Sequence, residues 1–168
     1  MQFIDIKGAI LADTVYVDGE LVGKELTVTL PDVSFATAEH KAMGTLELPM
    51  LGQLEAMEAS VTKTGYDKGV AILAAPEAKN LEFRFVHDSI NSDNVVTPEG
   101  CKAFLRAVPK VLPGGDLEPG SKTEQQITFA VSRYQLIVGG FEICLIDKLK
   151  NILRINGKDY AKSINSLL

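Results

Sequence analysis

Chemistry at a protein site begins with side chains that can give up a proton, attack an electrophile or hold a metal. This chain is sparing with them. It has two histidines, His40 and His87, and two cysteines, Cys101 and Cys144. A thiol or hydroxyl nucleophile needs a base within hydrogen-bond reach and a third group to orient that base. His40 and His87 fall in loop-like or strand-end settings with no clear Cys or Ser partner nearby. His87 and Asp88 are adjacent, but neighbours on an extended chain point to opposite faces. Structural zinc takes closely spaced Cys and His ligands, whereas those here are scattered from residue 40 to residue 144. Gly114-Gly115 and Gly139-Gly140 lie between strand-like runs and not ahead of helices, so neither forms a phosphate-cradling loop. Glu55 and Glu58 would share a face only on a helix, and nothing supplies a second partner. The expectation is a protein without catalytic residues, cofactor or metal, and not an enzyme.

The totals describe what must be built instead. A chain of 168 residues with 46% apolar and 23% charged side chains is an ordinary globular composition, long enough to bury a real core as one domain spanning 1–168. The formal charge is −5, unevenly spread: residues 1–84 hold thirteen acids and seven bases, residues 85–168 nine and ten. Such a chain binds nucleic acid by counterion release only through a local basic face. The one candidate visible in the sequence is the tail, with Lys148, Lys150, Arg154, Lys158 and Lys162, which reads as a solvated face. The start, MQFIDIKGAILAD, lacks the basic beginning and apolar run of a signal peptide. No apolar segment approaches the roughly 20 residues that span a bilayer. The chain is expected to be cytosolic when made, and in a reducing compartment Cys101 and Cys144 stay free thiols.

The elements are mostly strands. Along Thr123–Tyr160, Ile127, Phe129, Val131, Gln135 and Ile137 fall on one face of a long alternating run. Thr128, Ala130, Ser132, Tyr134, Leu136 and Val138 fall on the other. That second face is more apolar than a solvated sheet face needs to be. Gly139-Gly140 and Asn156-Gly157 are turn signals on either side of strands at Phe141–Leu145 and Ile152–Ile155. Ile143, Ile146, Leu149, Ile152 and Leu153 also fit helical spacing, but the flanking turns and the Ile content favour strands. Upstream, Asp18-Gly19 closes a hairpin, and Leu26, Val28 and Leu30 make a third strand ended by Pro31. Residues 54–64 fit either a strand or a helix. Residues 67–79 hold a short helix with Asp67 as N-cap, broken at Pro76. Leu81, Phe83 and Phe85 mark a strand, residues 88–100 a polar loop, and residues 101–112 a strand with Pro109 at an edge or bulge. The chain ends, over 159–168, in a short helix. The fold class is mainly β (α+β): an antiparallel β-sandwich or barrel with one or two short helices.

Residues 33–53 stand apart, since their polar, small and apolar residues mix without a sustained period. Two readings stand: a mobile surface loop, or an arm that folds against a neighbour. The second is motivated by Met43, Leu46, Leu48, Met50 and Leu51, which are too apolar to leave in water.

The order of segments carries a resemblance. VYVDGELVG, then VTLPD, then KAMGTLELP, then a strand ending TGYD, resembles the major tail tube protein of contractile-tailed bacteriophages and phage-tail-like (R-type) bacteriocins. So do EPGSKTEQQITFAVSRYQL and GGFEICLIDKLKNILRINGKDY near the end. The most specific pieces are Asp18-Gly19 with Gly23, Met43-Gly44, and Ile146-Asp147 with Asn156-Gly157-Lys158-Asp159-Tyr160. Residues 67–98 match little of the pattern. The resemblance implies a structural subunit that forms hexameric rings, stacked as a hollow tube within a contractile sheath. It further implies sheath, baseplate and tail-terminator proteins as partners, and no membrane binding by the subunit. DNA would pass through the lumen without specific binding. The location implied is first the bacterial cytoplasm, then a virion tail or released tail-like particle. On this view Ile127, Phe129, Val131, Tyr134 and Leu136 form the tube-wall strand, and Met43, Leu46, Leu48, Met50 and Leu51 the contact between subunits. The alternative is a monomeric β-sandwich binding module, for instance for carbohydrate. The absence of Trp and an aromatic content of 7% leave it short of stacking surfaces.

Elemental analysis of untagged protein should find no stoichiometric zinc or iron, and both thiols should titrate as free once the chain is denatured. A Cys101–Cys144 disulfide in protein taken directly from bacterial cytosol would contradict the second expectation.

Overall fold

Three two-residue turns set the local connections. In the computed structural model, which describes residues 2–168, Asp18-Gly19, Gly139-Gly140 and Asn156-Gly157 all carry positive φ at both central residues. That geometry matches the twist of paired strands and is open to Gly, Asn and Asp at little cost. The first turn joins β1 (Ile6–Val17) to β2 (Glu20–Lys24), after which the chain passes Glu25 and Leu26 into β3 (Thr27–Thr29). A hairpin, β4 (Phe35–Lys41) and β5 (Thr45–Leu54), precedes β6 (Met57–Thr64) and helix α1 (Lys68–Ala74). The long strands β7 (Lys79–Ile90), β8 (Val96–Pro109) and β9 (Glu124–Val138) follow. The second turn leads into β10 (Phe141–Asp147), and β11 (Ile152–Ile155), β12 (Lys158–Asp159) and α2 (Lys162–Asn165) complete the chain.

All pairings are antiparallel, and the main sheet runs β12-β11-β10-β9-β8-β7-β1-β2. Strand β9 joins two systems. Glu124–Val131 pair with β6, and Arg133–Val138 pair with β10. Residues Phe129–Val138 also pair with β8. Since β6 pairs with β3, and β3 continues β2, the path β1–β2–β3–β6–β9–β8–β7 returns to β1 as a barrel. Closure of this kind satisfies backbone donors and acceptors that an open edge would expose. Inside lie Val15, Met57, Val61, Leu81, Phe83, Leu105, Ile127 and Phe129, all nearly inaccessible to solvent. Helix α1 adds Val70, Leu73 and Ala74 to the same core. Its N-cap is Asp67, whose carboxylate accepts from the Val70 amide at 3.3 Å. It stops at Ala74 because Ala75, ahead of Pro76, is held extended at φ −61°, ψ 128°.

The alternation of β9 has a break that the sequence does not show. Arg106 on β8 is opposite Arg133, but Ala107 is opposite Val131, so Ser132 is an extra residue in β9. This β-bulge reverses the inward set. Ahead of it Gln125, Ile127, Phe129 and Val131 are buried; beyond it the buried residue is Tyr134. Tyr134 and Leu136, expected on the face opposite Phe129, therefore pack into the same core. The over-apolar second face is corrected accordingly: Arg133, Gln135 and Ile137 now occupy the outer side.

Other expectations change for similar reasons. Of residues 54–64, Leu54 ends β5 and Met57–Thr64 form strand β6, with Met57, Ala59 and Val61 buried. The polar loop of residues 88–100 shrinks to a turn, because β7 runs to Ile90 and β8 starts at Val96. Within that turn the Asn91 carboxamide oxygen accepts from the Asp93 and Val95 amides, both at 3.0 Å. The C-terminal helical turn covers Lys162–Asn165, and the Asp159 carboxylate accepts from the Ala161 amide at 2.9 Å.

One barrel end is polar and tightly packed. Lys63, paired across from Gln125, reaches Asp67 at 3.1 Å. Gln125 is fully buried, and neither its Nε2 nor its Oε1 finds a partner among the described residues. The link between β8 and β9 closes over it at Gly115, which has φ +70° and where a Cβ would fall 2.5 Å from Gln125 Nε2. A buried amide without partners costs about 1–3 kcal/mol. Gln125→Met keeps the volume and removes the orphaned atoms, so it should raise Tm by several degrees in thermal denaturation. Deleting Ser132 should do the opposite, because it removes the bend at which β9 changes partners, even though Val131 and Tyr134 would then lie two positions apart on the same inward face; Ser132→Ala changes little. Native-like melting of the deletion variant would show that the bend at the bulge does not contribute to stability.

Candidate functional site

The pairing of β7 with β8 assembles a Cys–His–acid group that the sequence reading missed. His87 stands opposite Glu99, and Phe85 opposite Cys101. This brings His87 Nε2 to 3.7 Å from both Cys101 Sγ and Glu99 Oε2. Lys7 on β1 pairs with Glu99 and bonds Ser89 Oγ at 3.1 Å. The set is not a nucleophilic triad. Both contacts converge on one ring nitrogen, whereas a catalytic His uses one nitrogen for the nucleophile and the other for the orienting acid. Cys101 is 2% exposed, and burial, reinforced by the Glu99 charge, pushes its thiol up. A protonated, enclosed thiol is a poor nucleophile. Burial likewise raises the Cys144 thiol, and both cysteines are free. His40 sits on the exposed hairpin opposite Leu46. Glu58 pairs with Lys110. Among the described residues no cluster of His, Cys, Asp and Glu converges to hold a metal ion.

The arm of residues 33–53 is more regular than its sequence suggested. It is a two-stranded hairpin, paired within itself and, among the described residues, with no other strand. Met43 at φ 49° and Gly44 at φ 119° form its tip. Leu46, Leu48 and Met50 alternate with Thr45, Glu47 and Pro49, so the period of two is present, but no position on either face is buried. Met43 is fully exposed, and Leu46, Leu48, Met50 and Leu51 are 44%, 45%, 38% and 50% exposed. Only the base is anchored. There Phe35, paired with Leu54, packs on the core, and Ser34 O accepts from the Glu55 amide at 2.9 Å. An isolated two-stranded ribbon is marginal in water, and an apolar one lacks a cover.

Two further surfaces accompany the arm. From Ile6 to Ala12, β1 pairs with β7 on one side, while its pairing with β2 begins only at Thr14. That leaves a free edge flanked by the exposed Phe3, Ile4, Ile6, Ile10 and Leu11. At the centre of β7, β8 and β9 the outer face carries Arg84, Lys102, Arg106 and Arg133 around Glu82, with Asp88 and Glu124 further along β7 and β9. Strand pairing thus collects a basic face from residues far apart in sequence. The tail is not the only such face, as the sequence had suggested. The tube-wall set Ile127, Phe129, Val131, Tyr134 and Leu136 lies in or against the core of the subunit itself.

The sequence matches the family described as phage tail tube protein FII over residues 9–168. No curated protein matches the chain. Solved structures from contractile particles share its fold. A chain of the PVC sheath-tube complex, an extracellular contractile injection system in the extended state, superposes with a TM-score of 0.52 at 18% identity, covering 75% of this chain and 88% of that one. A chain of the PVC sheath/tube terminator gives 0.53 at 16% identity, covering 74% and 92%. The anti-feeding prophage cap, a tube-terminating cap, gives 0.54 at 19% identity, covering 82% and 96%. With a matching barrel, an uncovered hairpin and a family match over nearly the whole chain, this protein belongs to the phage tail tube protein FII family and is a structural subunit of a tail tube.

Proposed function

We propose that the subunit polymerises as stacked hexameric rings into a hollow conduit inside a contractile sheath, and does so without any catalytic activity of its own. The observation that carries this reading is the arm. A hairpin with three alternating apolar side chains and an exposed Met at its tip has nothing to cover it in the monomer, and a second copy supplies that cover. The free edge of β1 supports the same reading. An unpaired apolar edge invites another strand, and in a ring of identical subunits each edge meets one neighbour, which ends the growth sideways.

The remaining partners follow from the architecture. A sheath surrounds the tube, a terminator closes its last ring, and a baseplate starts its first. Structures similar to this chain come from a sheath-tube complex, a sheath/tube terminator and a tube-terminating cap, which supports the first two. Assembly would take place in the bacterial cytoplasm, before the particle leaves as a virion tail or a tail-like body. DNA in the lumen would pass without specific contacts, as the net charge of −5 on each subunit favours.

Negative-stain electron microscopy of purified protein tests the reading directly: tubes of uniform width are expected. Leu48→Asp with Leu51→Asp should abolish them while the far-ultraviolet circular dichroism stays β-rich. Both positions are exposed in the monomer, so the charges cost it little. In the tube each would be buried unpaired, at several kcal/mol per subunit on the scale of about 3–5 kcal/mol for an uncompensated ion. Tubes of normal length from the double variant would show that the arm is not an assembly element.

A further inference from the structure

We propose that the acidic face of the arm docks on the Arg106–Arg133 pair of a second copy, so that two like-charged pairs within each subunit neutralise one another between subunits. The proposal rests on the tube reading and deepens it by naming a contact.

The first pair is on the hairpin. Glu39 on β4 stands directly opposite Glu47 on β5. Directly opposed residues share a face with Cβ atoms about 5 Å apart, and like charges so placed destabilise the ribbon that carries them. Both are exposed. Among the described residues neither forms an ion pair. Lys41, nearer the tip and opposite Thr45, shares their face without pairing to either. The opposite face of the arm carries Leu46, Leu48 and Met50, so its apolar and acidic sides can each meet a different surface.

The second pair is on the outer face of the main sheet. Arg106 stands directly opposite Arg133, and the Ser132 bulge is what turns Arg133 outward. Among the described residues, the Arg106 guanidinium donates only to the Asn80 carboxamide, at 2.9 Å. Arg133 comes no nearer to a carboxylate than 4.0 Å, at Asp147. The other Asp147 oxygen already accepts from the Leu149 and Lys150 amides. The two guanidiniums border a shallow cleft of about 430 Å³ with Asp18, Asn80, Glu82 and Phe104. Its own carboxylates are engaged: Glu82 takes Arg84 at 2.7 Å, and Asp18 accepts from the Asn80 amide at 3.1 Å. Another charged group on this sheet, by contrast, is satisfied within the subunit. Glu142 accepts from Arg154 at 2.6 and 3.2 Å and from Gln135 at 2.7 Å, and the Arg154 bond holds its carboxyl below the usual range.

Complementarity selects the occupant. Two carboxylates at cross-strand spacing face two guanidiniums at cross-strand spacing, and guanidinium forks bind carboxylates in a fixed bidentate geometry. Each subunit carries one of each, so a repeating assembly satisfies every pair. Copies with a net charge of −5 repel at a distance, and a local basic surface meeting an acidic one gives them a specific orientation of approach.

The test is a charge exchange in the polymerising protein, read by sedimentation and electron microscopy. Arg106→Glu with Arg133→Glu, and separately Glu39→Arg with Glu47→Arg, should each reduce polymer at least about tenfold, the lower end of measured couplings for close interfacial charge pairs. The quadruple exchange should restore it. Polymer at the wild-type level from both double variants, or a quadruple variant no better than either, overturns the proposal. If circular dichroism shows that the Arg106/Arg133 reversal does not fold, the neutral pairs Arg106→Gln/Arg133→Gln and Glu39→Gln/Glu47→Gln carry the test: a matching loss in both supports it, and wild-type polymerisation by either refutes it. Wild-type protein that never polymerises overturns the tube reading beneath the proposal, an outcome distinct from wild-type tubes indifferent to these charges.

Discussion

The backbone of β9 is the constraint on which the rest of the structure depends. Over Phe129–Val131 it is bonded on both sides at once, to β6 and to β8. Beyond Ser132 it gives up β6 and takes β10. A strand that changes partners along its length must bend, and the bulge provides the bend while re-aiming every side chain beyond it. The barrel is closed by the first half of β9, and the extension β10–β11–β12 is hung from the second. Without that exchange the C-terminal residues would have no strand to join.

The subunit built this way is stable in its middle and unfinished at its margins. Core positions of β6, β7, β8 and β9 have almost no contact with solvent, while the hairpin bears Leu46, Leu48, Met50 and Leu51 in the open. The hydrophobic effect acts on area removed from water, so these side chains contribute to stability only when another surface meets them. The same holds for charge. Glu39 beside Glu47, and Arg106 beside Arg133, are unfavourable within one copy and, on the docking proposed above, acquire partners between copies. A protein that folded only for its own sake would not need such surfaces; a tube subunit does.

What could be read from the sequence was what depends on neighbours in the chain. Asp18-Gly19 and Asn156-Gly157 announced their turns because a positive φ is a local requirement. Asp67 and Pro76 bounded α1 for equally local reasons. The features that stayed hidden depend on pairing between distant segments. Nothing in SRY at 132–134 shows that Ser132 is the extra residue, since a bulge exists only against the partner strand at Arg106. Cys101, His87 and Glu99 meet only through the β7–β8 register, as do the four cations of the outer sheet face. The arm was read as irregular because an exposed hairpin buries neither face, although its Leu46–Leu48–Met50 alternation was present throughout. That its apolar residues suit a partner surface is an inference from their composition, and in the subunit they are uncovered.

The central claim is that a second copy completes the hairpin and the free edge of β1. Amide hydrogen exchange measured on unassembled and assembled protein reads this residue by residue. The account predicts that Thr45–Leu51 and Ile6–Ala12 exchange quickly in the subunit and become strongly protected in the tube, with β6 and β9 protected in both. Equal protection of the hairpin in the two states would contradict it.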